Sequence, residues 1–301
     1  MDIAVIGSNM VDLISYVDRM PQTGETLRAP DFQVGCGGKG ANQAVAAARL
    51  GARVMMVTRV GDDQFGPNTV ANLTENGVDT TFVMTSAGTS GVAPIFVEPD
   101  GTNRILIIPG ANDLLTPQDV EAAAEAVSGC RLIVLQLEVP LPTVYAAIDL
   151  GNRLGIPVLL NPAPATADLD DRAVARCEFF MPNESELHLL TGMPVETIEE
   201  ITAAARILSG RGCPHVIVTL GERGALWVAS ESTELIAPCP VESVDSTGAG
   251  DAFIGCFAEA FVRTGDIGGA LREATAYAAD SVTRRGTQSS YATREEFDRT
   301  R

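Results

Sequence analysis

Val244-Asp245-Ser246-Thr247-Gly248-Ala249-Gly250-Asp251-Ala252-Phe253-Ile254-Gly255 is the stretch on which the reading of this chain turns. A polar, proline-containing segment (Ala237 to Val244) leads into it, and helix formers without proline (Ala252 to Arg263) follow. The order is loop, tight glycine turn, helix. Three small residues in a row, Gly248, Ala249 and Gly250, let the main chain come close to a bound group. The first turn of a helix has N–H groups without intrahelical acceptors and carries positive partial charge. The turn is therefore a main-chain anion site, and Asp251 sets a carboxylate inside it. That pairing suits one chemistry in particular, in which the carboxylate accepts a proton from a hydroxyl while the main chain stabilises charge on a phosphoryl group. The plainer reading is a capped helix after a simple turn, because short glycine motifs also occur without function. The rest of the chain decides between the two.

Upstream, strands alternate with helices. Ile3 to Gly7 reads as a first buried strand and Arg53 to Val60 as another, with a helix over Gln64 to Asn76. From about Thr116 the alternation is regular. Helix Pro117–Val127, strand Leu132–Leu137, helix Pro142–Leu154 and strand Val158–Asn161 come first. Strand Phe179–Pro182, helices Glu184–Thr191 and Thr197–Ser209, and strands Val216–Leu220 and Ala225–Val228 complete the series. The last third is helical, over Ala252–Arg263, Ile267–Arg284 and Arg294–Arg299. This rhythm predicts one α/β unit over 1–301 with a mostly parallel sheet covered by helices on both faces. Two excursions, about 11–36 and 90–110, break the rhythm. The second reads as a hairpin, Ser90–Val97 and Arg104–Ile108 around Pro99-Asp100-Gly101. Together they are expected to pair into a small sheet covering the site. Ligands in open α/β sheets bind beyond the carboxyl ends of the strands. Asp12, Glu138, Asn161, Asn183, Glu186 and Thr219 to Gly221 all stand at such ends.

With 301 residues, 46 % hydrophobic and 20 % charged, the chain can bury a sizeable core. A net charge of −18 argues against nucleic-acid or anionic-membrane partners, which need basic surfaces. The cysteines (Cys36, Cys130, Cys177, Cys213, Cys239, Cys256) form no CxxC pair and read as reduced thiols of a cytoplasmic protein. His188 and His215 are far apart and support neither a histidine metal site nor a Ser-His-Asp triad. The first residues carry no basic segment of a signal peptide, and no apolar run reaches the length of about 18 residues that a membrane span needs.

A second glycine turn runs Gly37-Gly38-Lys39-Gly40-Ala41-Asn42-Gln43 into an alanine-rich helix, Ala44 to Leu50. It matches neither the Walker A loop nor the dinucleotide fingerprint. Lys39 and Asn42 can donate to hydroxyls or phosphate. Pro182-Asn183-Glu184-Ser185-Glu186 opens a helix with carboxylates in its first turn, which the helix dipole explains. A functional alternative is that Asn183 and Glu186 help to hold hydrated Mg²⁺ on nucleotide phosphates, since Mg²⁺ keeps waters and takes few protein ligands.

On these motifs the chain resembles the ribokinase (PfkB) family of sugar kinases over essentially its full length. One signature is Gly37-Gly38-Lys39-Gly40-Ala41-Asn42-Gln43-Ala44 and the other Asp245-Ser246-Thr247-Gly248-Ala249-Gly250-Asp251-Ala252-Phe253. Asn161-Pro162-Ala163-Pro164, Pro182 to Glu186 and Thr219-Leu220-Gly221-Glu222-Arg223-Gly224 lie between them in family order. The resemblance implies a ribokinase-like α/β fold with a small β-sheet lid, and a homodimer joined through the lids. It implies Asp251 as catalytic base, with Gly248, Ala249, Gly250 and Asp251 as the anion hole. Asp12, Gly38, Lys39, Asn42 and Glu138 would hold the sugar. Asn183, Thr219, Gly221, Gly224 and Gly250 would line the ATP site, with Glu186 near Mg²⁺. Asp245, Thr247, Ser281, Arg284, Gly286 and Ser290 would surround a monovalent cation, K⁺, several through carbonyl oxygens.

One position departs from the pattern. Two residues before Asp12, where ribokinases carry an asparagine that bonds sugar hydroxyls, this chain has Met10. A buried asparagine left without its hydroxyl costs about 1–3 kcal/mol. Methionine removes that penalty for a sugar lacking the 2-hydroxyl. The first residues and the segment Gly286-Thr287-Gln288-Ser289-Ser290-Tyr291 also look like the deoxyribokinase branch. The expected reaction is therefore ATP-dependent phosphorylation of 2-deoxy-D-ribose at its 5-hydroxyl, with ribose accepted less well. The alternatives are another small sugar or a nucleoside as acceptor, and a sensor that binds without catalysis. At Met10 itself the alternative is that the side chain only packs and Asn9 reaches the sugar.

Overall fold

Ile3, Ala4, Val5 and Ile6 are apolar without alternation, and none is more than 1 % exposed. A strand of this kind has to be covered on both faces, and it lies inside a wide sheet. The computed structural model describes residues 1–99 and 103–300. Its strands are β1 (Ile3–Ile6), β2 (Met10–Tyr16), β3 (Asp31–Gly37), β4 (Val54–Gly61), β5 (Asp79–Ser86), β6 (Val92–Val97) and β7 (Asn103–Ile105). These are followed by β8 (Leu132–Leu135), β9 (Val158–Leu160), β10 (Phe179–Phe180), β11 (His215–Thr219), β12 (Ala225–Ala229) and β13 (Thr233–Ile236).

Nine of these strands form the main sheet, in the order β13-β12-β11-β10-β9-β8-β1-β4-β5. From β11 to β5 every pairing is parallel, and β12 and β13 add an antiparallel edge. Side-chain alternation sorts the apolar residues into two cores. Ile3, Val5, Leu132 and Val134 join Ala44, Phe257 and Leu271 from helices Lys39–Arg49, Ala249–Thr264 and Ile267–Ser281. Ala4, Ile6, Ile133 and Leu135 join Val144, Ile148, Ile201 and Leu208 from helices Leu141–Leu154 and Ile198–Gly210.

The two excursions meet in a separate sheet, β3-β2-β6-β7. Its β2 pairs antiparallel with β3 and parallel with β6, with Asp12 opposite both Gly35 and Ala93. The turn expected at Pro99-Asp100-Gly101 runs into residues 100–102, outside the described residues.

Several boundaries differ from the sequence expectation. The helix expected from Ala44 begins at Lys39, so the second glycine motif supplies its first turn. Gly38, at φ 86°, provides the break before it. The helix expected over Pro117–Val127 is two short pieces, Pro117–Ala122 and Ala124–Val127. Strands β5 and β13 were not foreseen. They are the two edges of the main sheet, and their half-exposed pattern lacks the apolar run of the inner strands.

Candidate active site

The helix Ala249–Thr264 opens at Gly248, whose φ of 78° lies in the left-handed region. A Cβ at Gly248 would lie 2.4 Å from Thr287 Cγ2 and 2.7 Å from the Tyr291 hydroxyl. That hydroxyl donates to the Gly248 carbonyl at 2.9 Å. The protein itself therefore requires this glycine. Gly250 differs, because a Cβ there would meet nothing within 4 Å. The Ala249 N–H is used inside the turn, on the Ser246 carbonyl at 3.2 Å. Among the described residues, the N–H groups of Gly248, Gly250 and Asp251 have no acceptor. The open donors of the turn are thus three, at Gly248, Gly250 and Asp251.

Asp251 is 7 % exposed, on the first turn of the helix. Its Oδ2 accepts from Asn42 Nδ2 and its Oδ1 from Gln43 Nε2, each at 2.9 Å. The two glycine motifs, 208 residues apart at this contact, therefore meet at one carboxylate. Around it stand two more carboxylates and Lys39. Glu138 Oε2 accepts from Ser8 Oγ at 2.6 Å and from the Lys39 N–H at 2.9 Å. Burial pushes the Glu138 carboxyl up, against the pull of Lys39. Burial, then the carboxylates of Glu138 and Asp251, push Asp12 up to about 7. The charge of Asp251, against the cost of burial and with help from Glu138 and Glu186, holds the Lys39 ammonium above its ordinary range. Lys39 is the only lysine in the chain.

Met10 is 2 % exposed and packs with Ala93 and Ile95 on the face of the small sheet that carries Asp12. Asn9 turns elsewhere: its Nδ2 donates to Thr58 Oγ1 at 2.7 Å and to the Arg59 carbonyl at 2.8 Å. Gly38 approaches the chain itself, since a Cβ there would lie 2.6 Å from the Met10 nitrogen.

Beyond the turn opens a cavity of about 490 Å³ lined by Thr219, Gly221, Gly224, Ala249 and Gly250. Asn183 bridges to Thr219 beside it. Asn183 and Glu186 form a capping box on helix Glu184–Thr191, with the Asn183 N–H donating to Glu186 Oε2 and the Glu186 N–H to Asn183 Oδ1, both at 2.8 Å. Their expected structural role is thus filled, and one Glu186 oxygen stays free of this box. On the far side of the turn, Asp245 accepts from the Thr247 N–H and the Gly286 N–H, each at 2.9 Å. Burial works to raise the Asp245 carboxyl, but donation from Gly286 and Thr247 outweighs it and holds the group below its ordinary value. The Ser290 carbonyl accepts from Arg284 Nε at 2.9 Å, while Ser281 Oγ donates to the Ala278 carbonyl at 2.8 Å.

Sequence reasoning missed two sets of residues. Pro238, Val241, Thr275, Ala279 and Val282 also line the cavity. The proline-containing segment before the turn was a signal for the first two, whereas the others are ordinary helix residues or follow one directly. Gln43, Gln136 and Gln288 stand behind the carboxylate, and buried glutamines give no local pattern.

A model of the pfkB family of carbohydrate kinases matches residues 1–294. The chain belongs to that family. As a pfkB kinase it is an ATP-dependent carbohydrate kinase. It is 56 % identical over 299 residues to a deoxyribokinase of Salmonella typhi, covering 99 % of this chain and 98 % of the relative. It is 40 % identical over 295 residues to mouse ribokinase, covering 96 % and 91 %. Among solved structures, Arabidopsis thaliana ribokinase complexed with ribose and ATP superposes with a TM-score of 0.91 at 31 % identity, covering 99 % of this pfkB kinase and 97 % of that chain. The expected fold, a parallel α/β sheet with a small second sheet, is the fold observed.

Proposed function

We propose that this kinase transfers the γ-phosphoryl group of ATP to the 5-hydroxyl of 2-deoxy-D-ribose, and to ribose less well. The carrying observation is Met10, buried with Ala93 and Ile95 beside Asp12 while Asn9 is committed to Thr58 and Arg59. An apolar wall there leaves no polar group unpaired when the sugar has no 2-hydroxyl. Such a wall rejects an added hydroxyl by about a hundredfold at most, so ribose remains a substrate. The identity to a deoxyribokinase supports the same reading.

Asp251 is the base that takes the proton of the 5-hydroxyl, and the N–H groups of Gly250 and Asp251, in the Gly248–Asp251 turn, receive the phosphoryl oxygens. Proton loss comes late in a loose transition state, so orientation contributes more than basicity. Asp12, Gly38, Lys39, Asn42 and Glu138 hold the sugar. Thr219, Gly221, Gly224 and Gly250 line the nucleotide cavity, with Asn183 at its edge. The small sheet acts as a lid that keeps water from the phosphoryl group.

Mg²⁺ fits a site with one available carboxylate oxygen, on Glu186, because it retains waters and takes phosphate oxygens. Bound there, it would neutralise charge on the β- and γ-phosphates. The ionised Asp245, with main-chain carbonyls of the 281–290 segment, is a set of oxygen donors that fits K⁺. Asp245 already ties that segment to the glycine turn, so an ion at this place would set the shape of the turn.

The test compares kcat/KM for 2-deoxyribose and ribose. Wild type favours 2-deoxyribose, and Met10→Asn shifts the ratio toward ribose by about tenfold. An unchanged ratio removes Met10 from specificity. Asp251→Asn lowers kcat by about a hundredfold or more while the protein stays folded, and near-normal turnover would refute the base.

A further inference from the structure

Behind Asp251 lies a run of buried amides. Gln43 and Gln136 are 1 % and 0 % exposed. Gln43 Nε2 donates to Asp251 Oδ1 at 2.9 Å and to Asn161 Oδ1 at 3.3 Å. Its Oε1 accepts from Gln136 Nε2 at 2.6 Å. A carboxylate only accepts, so the Gln43 nitrogen has to face Asp251 and its oxygen Gln136. The flipped amide would set oxygen against oxygen at both Asp251 and Asn161. The other carboxylate oxygen is held by Asn42, whose Oδ1 accepts from Gln288 Nε2 at 2.9 Å.

Two glycines make room for this arrangement. Gly255 stands one turn after Asp251, and a Cβ there would lie 2.7 Å from the Gln43 carbonyl oxygen and 2.5 Å from Ala46 Cβ. Helices Lys39–Arg49 and Ala249–Thr264 therefore meet backbone to backbone, which brings a glutamine side chain within reach of the carboxylate. A Cβ at Gly7 would lie 2.0 Å from Gln136 Oε1. That oxygen has no hydrogen-bond partner among the described residues. A methionine of similar shape would avoid the cost of burying it, so the amide has its value in the nitrogen that faces Gln43.

We propose that Gln43, oriented by Gln136, is a positioning residue for phosphoryl transfer: it fixes the plane of the Asp251 carboxylate. The proposal rests on the reading of Asp251 as base. A carboxylate bonded at both oxygens cannot rotate out of line with the sugar hydroxyl.

Gln43→Met keeps the side chain's length and removes the donor. It lowers kcat by about tenfold to a hundredfold and leaves the sugar KM within about threefold. A fall in kcat with KM held is a split that a purely structural role would not produce. Gln136→Met, which touches Gln43 rather than Asp251, gives the same signature in weaker form. In the Asp251→Asn background Gln43→Met causes no further loss, because its route of action is gone. A folded Gln43→Met enzyme with wild-type kcat overturns the proposal, as does an equal loss in the Asp251→Asn background. If Gln43→Met does not fold, Gln136→Met decides on the same readouts. If Asp251→Asn is inactive while Gln43→Met is normal, only the positioning role falls. If Asp251→Asn is active, the base assignment falls with it.

Discussion

Asp12, which holds the sugar in the proposed reading, concentrates the electrostatics of the carboxylate cluster in one side chain. It is 8 % exposed, and burial with two neighbouring carboxylates pushes it up to about 7 from an ordinary value near 4. The native state then holds a proton that the unfolded chain has lost between about pH 4 and pH 7. Stability therefore falls as pH rises through that window and levels off above about pH 7. Asp12→Asn should flatten the slope, and thermal unfolding from about pH 5 to pH 8 reads it directly. A wild-type slope retained in Asp12→Asn would place the linked proton elsewhere. A sugar hydroxyl donates best to ionised Asp12, so the sugar KM should fall as pH rises through about 7. At this scale the sequence was legible where residues announce themselves. Asp12 stands at a strand end and Lys39, Asn42 and Asp251 in glycine motifs; Gln43 shares a motif, but its partners Asp251 and Gln136 lie 208 and 93 residues away. Only the fold assembles those.

The helix Ala249–Thr264 shows how one element divides its glycines between folding and chemistry. Gly248→Ala forces a side chain to φ 78° and into Thr287. It should cost about 1–3 kcal/mol of stability. Gly250→Ala meets no protein atom within 4 Å and gains helix propensity, so stability should hold or rise by up to about 1 kcal/mol. Its methyl group would enter the cavity that Gly250 lines, where the proposed reading puts a phosphoryl oxygen, so kcat should fall and the ATP KM rise. Denaturant unfolding and steady-state kinetics on the two variants separate these effects. An inactive Gly248→Ala of full stability, or a fully active Gly250→Ala, would reverse the assignment. The same helix was expected to start at Ala252 and starts at Ala249, because turn residues carry weak helix signals even when tertiary contacts hold them. Inner strands were readable as apolar runs. The edges β5 and β13 were not, because half-exposed strands resemble loops in composition.

At the scale of the whole molecule, the small sheet is apolar on both faces. Met10, Ile14, Ala93 and Ile95 share the face that bears Asp12. Leu13, Phe32, Val34 and Phe96 alternate onto the other, where Phe32 and Val34 are 56 % and 58 % exposed. The first face is the one that would close on the sugar in the proposed reading. The second has no cover within the described residues, and exposed apolar patches of this kind mark contact surfaces. The lid clasp of a homodimer, implied by the family resemblance, would cover it. Each chain carries −18, so two copies repel at long range and their contact has to be apolar and short-range. Salt screens that repulsion. The dimer should therefore tighten as ionic strength rises, the reverse of an interface built on opposite charges. Phe32→Asp with Val34→Asp should give a monomer in sedimentation, still folded, with a raised sugar KM because each lid loses its support. A wild-type chain that sediments as a monomer at assay concentration, or a double variant that stays dimeric with an unchanged KM, would separate the lid from assembly and leave the apolar outer face without this explanation.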